Sequence, residues 1–122
     1  MDRAHKKLNV WKMSIDLAKE IYDITGKYPR EERYGIINQM RRAATSVPAN
    51  IAEGAARRSK KEFAQFLSIA GGSLSELDTY LELSLVLNYL NLGEKEKIDA
   101  MMTNVSKTLA GLIRSITDKQ MA

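Results

Sequence analysis

The residues of this chain best equipped for chemistry are cations. Arg57, Arg58, Lys60 and Lys61 stand almost side by side, Arg41 and Arg42 precede them, and only Glu53 and Glu62 answer them between positions 41 and 62. Lys60 and Lys61 fall where a helix should begin, and cations in a first helical turn are disfavoured by roughly 0.3–1 kcal/mol each. A helix N-terminus ringed by four cations suits a phosphate group. Repeated by symmetry in an oligomer, it becomes a positive track for an RNA or DNA backbone. The plainer reading is solvated helix surface, with Arg57 and Arg58 placed after a helix end whose dipole favours them. No aromatic residue lies among Arg57 to Lys61 to stack on a base. Binding is therefore expected to be led by the backbone, sensitive to salt and weakly specific for sequence.

Other reaction chemistry is absent from the residue pattern. The single histidine, His5, sits in a polar segment and reads as a surface residue. Zinc needs three or four N, S or O ligands in a closed set, and a di-iron bundle needs Glu-x-x-His pairs; the sequence has neither. It also has no Gly-rich phosphate loop and no Ser/His/Asp or Cys/His set. The expectation is a protein that is no enzyme and takes no cofactor or metal.

The segment carrying the cations has an unusual wheel. Gln39, Arg42, Ser46, Asn50, Glu53 and Arg57 share one narrow band, beside an apolar stripe of Ile37, Met40, Ala44, Val47 and Ile51. Two readings of Asn50 and Glu53 stand. In one they are structural, Asn50 mending the backbone around Pro48 and Glu53 pairing with Arg57 one turn on. In the other they form a polar site at a subunit contact.

The elements that must position these residues are helices. Apolar residues recur in steps of three and four in four blocks: Leu8, Trp11, Ile15, Ala18, Tyr22; then Ile37 to Ile51 as above; then Phe63, Leu67, Ala70, Leu74, Leu77, Leu81; then Ile98, Met101, Val105, Leu109, Leu112, Ile116. Gly26 to Pro29 should stop the first helix, Ser59-Lys60-Lys61-Glu62 is a capping box that starts the third, and Asn91-Leu92-Gly93 should end it. The spacing predicts helices over about 8–27, 33–57, 60–90 and 94–119, with short connections that force an all-α, antiparallel up-down-up-down four-helix bundle forming one domain over residues 1–122. Pro48 should kink the second helix without stopping it. Gly71 and Gly72 imply that a neighbouring helix comes close.

At 122 residues the chain is long enough for a core of its own. It has no cysteine, no apolar run near the ~18 residues of a membrane span, and no apolar leader core after its N-terminal charges, which together point to a cytoplasmic setting away from membranes. The net charge of +4 is unevenly spread. Arg3, Lys6, Lys7 and Lys12 add a second basic group, whereas no Lys or Arg occurs from Phe63 to Glu94. Such asymmetry points to a polyanion or an acidic protein partner. The end of the third helix, with Leu81, Leu83, Leu85, Val86, Leu87 and Leu90, is apolar around almost its whole circumference. One bundle face cannot bury that, so these residues are expected to form a homo-oligomer interface.

The run Gln39-Met40-Arg41-Arg42-Ala43-Ala44, then Ser46-Val47-Pro48-Ala49-Asn50-Ile51-Ala52-Glu53-Gly54, resembles the signature of the four-helix-bundle 23S ribosomal RNA intervening-sequence proteins. Phe63, Phe66-Leu67, Ala70, Ser73-Leu74 and Glu76-Leu77 match the stretch that follows it, and Trp11, Ala18, Tyr28-Pro29, Glu32, Tyr34 and Gly35 match the opening region. The resemblance runs from Leu8 to about Ile116. It makes Ser46, Pro48, Asn50, Glu53 and Gly54 family-motif residues. It implies a small bacterial protein, some relatives of which are encoded within insertions of large-subunit ribosomal RNA genes. Similar proteins include the accessory variability determinants of diversity-generating retroelements, which form homopentameric barrels with a basic surface that binds nucleic acid and a reverse transcriptase. By that likeness a homopentamer is expected here. The function that follows is oligomeric binding of nucleic-acid backbone through Arg41, Arg42, Arg57, Arg58, Lys60 and Lys61. Its rival is a protein–protein adaptor or scaffold whose basic patch docks an acidic partner.

Overall fold

Buried aliphatic side chains at three- and four-residue steps wind the chain into four helices that share one core. The computed structural model describes residues 4–121, and among them every regular element is helical. After a 3-10 turn at Ala4–Lys7 come α1 (Asn9–Thr25), a second 3-10 turn at Arg30–Glu32, α2 (Ile36–Ala55), α3 (Lys60–Val86) and α4 (Leu92–Met121). Each helix packs on its neighbours in the chain and α4 closes back onto α1, with no close backbone approach across either diagonal. Contacts between the helices agree with a chain that turns back at each connection. Arg41 of α2 reaches Thr25 at the end of α1. Met40 and Ser46 of α2 meet Ser84 and Ser73 of α3. Lys95 of α4 meets Glu82 of α3, and Lys97 meets Glu20 of α1. Leu17, Ile21, Met40, Ile51, Leu67, Leu77, Leu81 and Ile98 are fully buried between the helices, each contributing on the order of 1.5–3 kcal/mol relative to exposure.

The buried face of α1 differs from the expected one. Ile15 and Tyr22 are 42% and 46% exposed, while Val10, Ser14, Leu17, Ile21, Ile24 and Thr25 point inward. Two polar residues hide in that inner row because each hydroxyl bonds back along its own helix, Ser14 Oγ to the Trp11 carbonyl at 2.8 Å and Thr25 Oγ1 to the Ile21 carbonyl at 2.6 Å. A satisfied hydroxyl can be buried at little cost, so the row with more aliphatic bulk wins.

The two interruptions resolve differently. Helix α2 continues through Pro48, and Asn50 Nδ2 donates to the Ser46 carbonyl at 2.8 Å and to Ser46 Oγ at 2.9 Å. The Gly71–Gly72 pair does not mark a close helix approach. A Cβ on Gly72 would meet nothing within 4 Å, and one on Gly71 would meet only Leu109 Cδ2 at 3.8 Å. The close approach is at Gly54, where a Cβ would lie 2.8 Å from Phe66 Cβ and 2.9 Å from Phe63 Cδ1.

Helix α3 also ends earlier than expected. Asn88 takes φ 62°, its N–H bonds to the Leu85 carbonyl, and the Tyr89 N–H bonds to the Ser84 carbonyl at 2.9 Å; this is the Schellman stop. Asn91 then opens α4 instead of ending α3. Its Oδ1 accepts from the Glu94 N–H at 2.8 Å, and Glu94 Oε1 accepts from the Asn91 N–H at 2.9 Å, a reciprocal cap. The early turn changes the expected interface. Leu81 lies in the core seam, and Leu90 is carried inward by the turn, so both are buried within the bundle and neither is surface for a partner. Leu85 is half-buried. Leu83, Leu87 and Val86, the last 74% exposed, remain outside, joined by Leu92. Among the described residues no helix is long and apolar enough to cross a membrane.

Candidate nucleic-acid interface

The basic corner is built by the turn from α2 to α3. Because Gly54 has no side chain, the first turns of α3 can lie against the last turn of α2, Phe63 and Phe66 closing over the gap. Ser59 Oγ accepts from the Glu62 N–H at 3.1 Å and caps α3, which sets Lys60 and Lys61 in its first turn. Arg57 is engaged: it stacks over the Phe66 ring at 4.8 Å and sits 3.7 Å from Glu53. The Glu53–Arg57 pair is solvent-facing and worth little. Arg58, Lys60 and Lys61 are exposed and have no charged or hydrogen-bonding partner among the described residues.

The antiparallel order brings further cations to this same end of the bundle. Lys6 in the 3-10 turn before α1, Lys12 in the first turn of α1 and Arg114 near the end of α4 are all exposed. Arg3 lies outside the described residues, as does the side chain of Lys7. Arg114 was hidden from sequence reading because only the helix directions place it here.

Arg41 and Arg42 do not join this corner. At about 1.5 Å of rise per residue, Arg41 stands roughly 24 Å from Arg57 along the helix. Arg41 is also occupied: its Nε donates to Thr25 Oγ1 at 3.0 Å, its Nη2 to the Tyr22 carbonyl at 3.4 Å, and its guanidinium lies 4.5 Å over the Tyr22 ring. It closes the C-terminal end of α1, where a cation is favoured. Arg42 is exposed and stands alone on the outer face.

Two of the motif residues of α2, Ser46 and Gly54, face α3. Ser46 Oγ and Ser73 Oγ are 2.8 Å apart, Asn50 holds Ser46 from one turn further on, and Ser73 Oγ reaches the Ile69 carbonyl at 3.3 Å. Pro48 is buried, and Gly54 is the contact point with Phe63 and Phe66. Ser46, Asn50 and Gly54 thus serve one function along the helix, a close and polar-bridged α2–α3 seam. The sequence pattern of the 23S rRNA-intervening sequence protein family matches residues 6–111. The chain belongs to this family. Its fold is also that of a solved protein of unknown function from the S23 ribosomal protein family of Bacteroides thetaiotaomicron, with TM-score 0.77 and 27% identity over 86% of this chain and 98% of that one. No curated protein shows a significant match.

In this member of the 23S rRNA-intervening sequence protein family the opposite side of α3 is a wide, polar groove against α4, of about 810 Å³. Lys95 lies almost buried in it, with Nζ 2.6 Å from Glu82 and 2.7 Å from Asp99. The hydrogen bonds to Asp99 and then Glu82 hold that ammonium well above the ordinary lysine range, against the opposing effect of burial. Asp99 one turn beyond Lys95 was a visible pairing signal; Glu82 from another helix was not. At the same end of the bundle, Tyr89 donates to Glu32 at 2.9 Å, and the carboxylate raises the phenol's pKa. His5 packs edge-on against Trp11 at 5.0 Å. Among the described residues no cluster of His, Cys, Asp or Glu could hold a metal ion.

Proposed function

We propose that this chain is a non-enzymatic cytoplasmic protein that binds nucleic-acid backbone through the basic end of its bundle and works as a homo-oligomer, a ring of five by family likeness. One observation carries the binding reading. Arg58, Lys60 and Lys61 project from the start of α3 without a carboxylate partner, at a helix end where the dipole opposes two of them. The fold gains nothing from those charges there, and a phosphate would gain from both the charges and the free N–H groups. The contact set is Arg58, Lys60 and Lys61, flanked by Arg57, Lys12 and Arg114, with Arg41 and Arg42 outside it. Self-assembly is supported by the exposed apolar group Leu83, Val86, Leu87 and Leu92 at the far end of α3, which leaves the basic end open to a ligand.

Light-scattering mass, measured on the protein alone and with a short RNA at two salt concentrations, tests both parts. The expected result is a stable oligomer that gains RNA mass at low salt and loses it at high salt. An oligomer that never gains RNA, yet captures one acidic protein in a nuclease-resistant way, would replace this reading with an adaptor. A monomer would end the assembly reading.

A further inference from the structure

A second cationic feature lies at the opposite end of the bundle. Between the end of α1 and the start of α2 is a cavity of about 310 Å³, lined by Arg30, Arg33 and Arg41 together with Tyr28, Ile37 and the α1 terminus. Three guanidinium-bearing side chains face it and no carboxylate does. Arg30 and Arg33 are exposed and have no partner among the described residues. Arg41 is held in place by the Tyr22 ring and Thr25, so one wall of the cavity is set before any ligand arrives.

The C-terminal end of α1 would oppose an anion here, but three of its last four carbonyls are already engaged. The Tyr22 oxygen accepts from the Gly26 N–H and Arg41, the Ile24 oxygen from the Lys27 N–H, and the Thr25 oxygen from the Tyr28 N–H. We propose that this cavity binds a phosphate monoester, the terminal phosphate of a nucleotide or of a nucleic-acid strand, held by Arg30, Arg33 and Arg41. Planar guanidinium forks suit phosphate oxygens in paired contacts. The cavity is at the small end of the ~300–1,000 Å³ range of ligand sites, which fits an end group and not a duplex. Tyr34 does not line the cavity but follows Arg33 directly and is 87% exposed; its unburied ring is a stacking face for a base that extends out of the cavity.

The test titrates the intact protein with inorganic phosphate, a nucleoside 5′-monophosphate, and one single-stranded oligonucleotide with either a 5′-phosphate or a 5′-hydroxyl. Affinities are measured together with backbone NMR shifts. The phosphate-bearing probes should shift signals between Thr25 and Arg41, and the double variant Arg30→Gln/Arg33→Gln should bind them at least about tenfold more weakly with an unchanged circular dichroism spectrum. Tyr34→Ala should weaken the nucleotide and spare inorganic phosphate. Tighter binding of the 5′-phosphorylated strand than of the 5′-hydroxyl strand, with shifts between Thr25 and Arg41 for the former alone, identifies a strand end as the ligand; equal binding of the two strands, with those shifts for the mononucleotide alone, identifies a free nucleotide. Lys60→Gln/Lys61→Gln should weaken both oligonucleotides but leave the binding of inorganic phosphate and the mononucleotide, and the shifts between Thr25 and Arg41, intact, which separates the cavity from the basic corner. Phosphate probes that bind the Arg30/Arg33 variant as well as the parent, or that shift no signal between Thr25 and Arg41, would overturn the proposal.

Discussion

Replacing glycine by alanine should have opposite signs at two places in this bundle. At Gly54 the new methyl would lie 2.8 Å from Phe66 Cβ, 2.9 Å from Phe63 Cδ1 and 3.2 Å from the Phe63 carbonyl oxygen. Carbon atoms in good contact are about 3.5–4.0 Å apart, so α2 and α3 must part by most of an ångström. Two of the three obstacles are fixed to the α3 backbone, which no side-chain rotation can clear. Overpacking of this kind costs roughly 1–3 kcal/mol, and alanine returns about 1 kcal/mol of helix propensity. The net expectation is a loss of up to about 2 kcal/mol, or up to roughly 10 °C in Tm for a chain of this length. At Gly72 a methyl meets nothing within 4 Å, so Gly72→Ala should keep the whole propensity gain of about 1 kcal/mol. Urea unfolding followed by circular dichroism measures both. A Gly54→Ala protein stabilised as much as Gly72→Ala would refute the claim that the family motif serves a close α2–α3 seam.

Three further outcomes are expected. Ser46→Ala removes one of the two acceptors of Asn50 Nδ2 and the partner of Ser73, and should cost about 1 kcal/mol in the same unfolding assay, with Ser73→Ala adding little on top. Asn88→Ala puts a less tolerant residue in the left-handed turn that ends α3, and a loss of about 1 kcal/mol is expected, with Asn88→Gly no less stable than the parent. The third concerns Lys95, whose pKa is raised in the fold above the ~10.4 of an unfolded lysine. Its pairing is therefore whole below about pH 10.4 and fades as the pH climbs through the higher folded value. Glu82 and Asp99 both reach solvent, so Lys95→Met should cost no more than about 1 kcal/mol near neutrality. That cost should shrink in alkaline solution, as followed by Tm against pH.

Helix count, the seams of α2, α3 and α4, and the Ser59 cap of α3 were legible because apolar period and capping chemistry are local, whereas Asn91, read as a stop for α3, caps α4. Three features were not. The inner face of α1 was misassigned because Ser14 and Thr25 look polar in sequence, and only the helix supplies the carbonyls that satisfy them. The double glycine at 71–72 and the single Gly54 are the same letter, and only the position of α3 shows which one has a neighbour. Leu81, Leu83, Leu85, Val86, Leu87 and Leu90 read as one apolar cylinder, yet the turn at Asn88 divides them between core and surface. The candidate site divided in a similar way. Arg57 to Lys61 are close in sequence and in space, but Arg41 and Arg42 lie most of a helix length away, and Arg41 closes α1. Arg30 and Arg33 stand on either side of Glu31 and Glu32 in the sequence, and only the fold sets them beside Arg41.

The salt dependence of binding to a single-stranded RNA of arbitrary sequence bears most directly on the proposed function. Fluorescence anisotropy should give a linear fall of log K with log salt, and Lys60→Gln/Lys61→Gln should make that line shallower by about 1.4, two phosphates at ~0.7 each, with folding unchanged. A slope identical in parent and variant would contradict the assignment of the phosphate contacts to the first turn of α3.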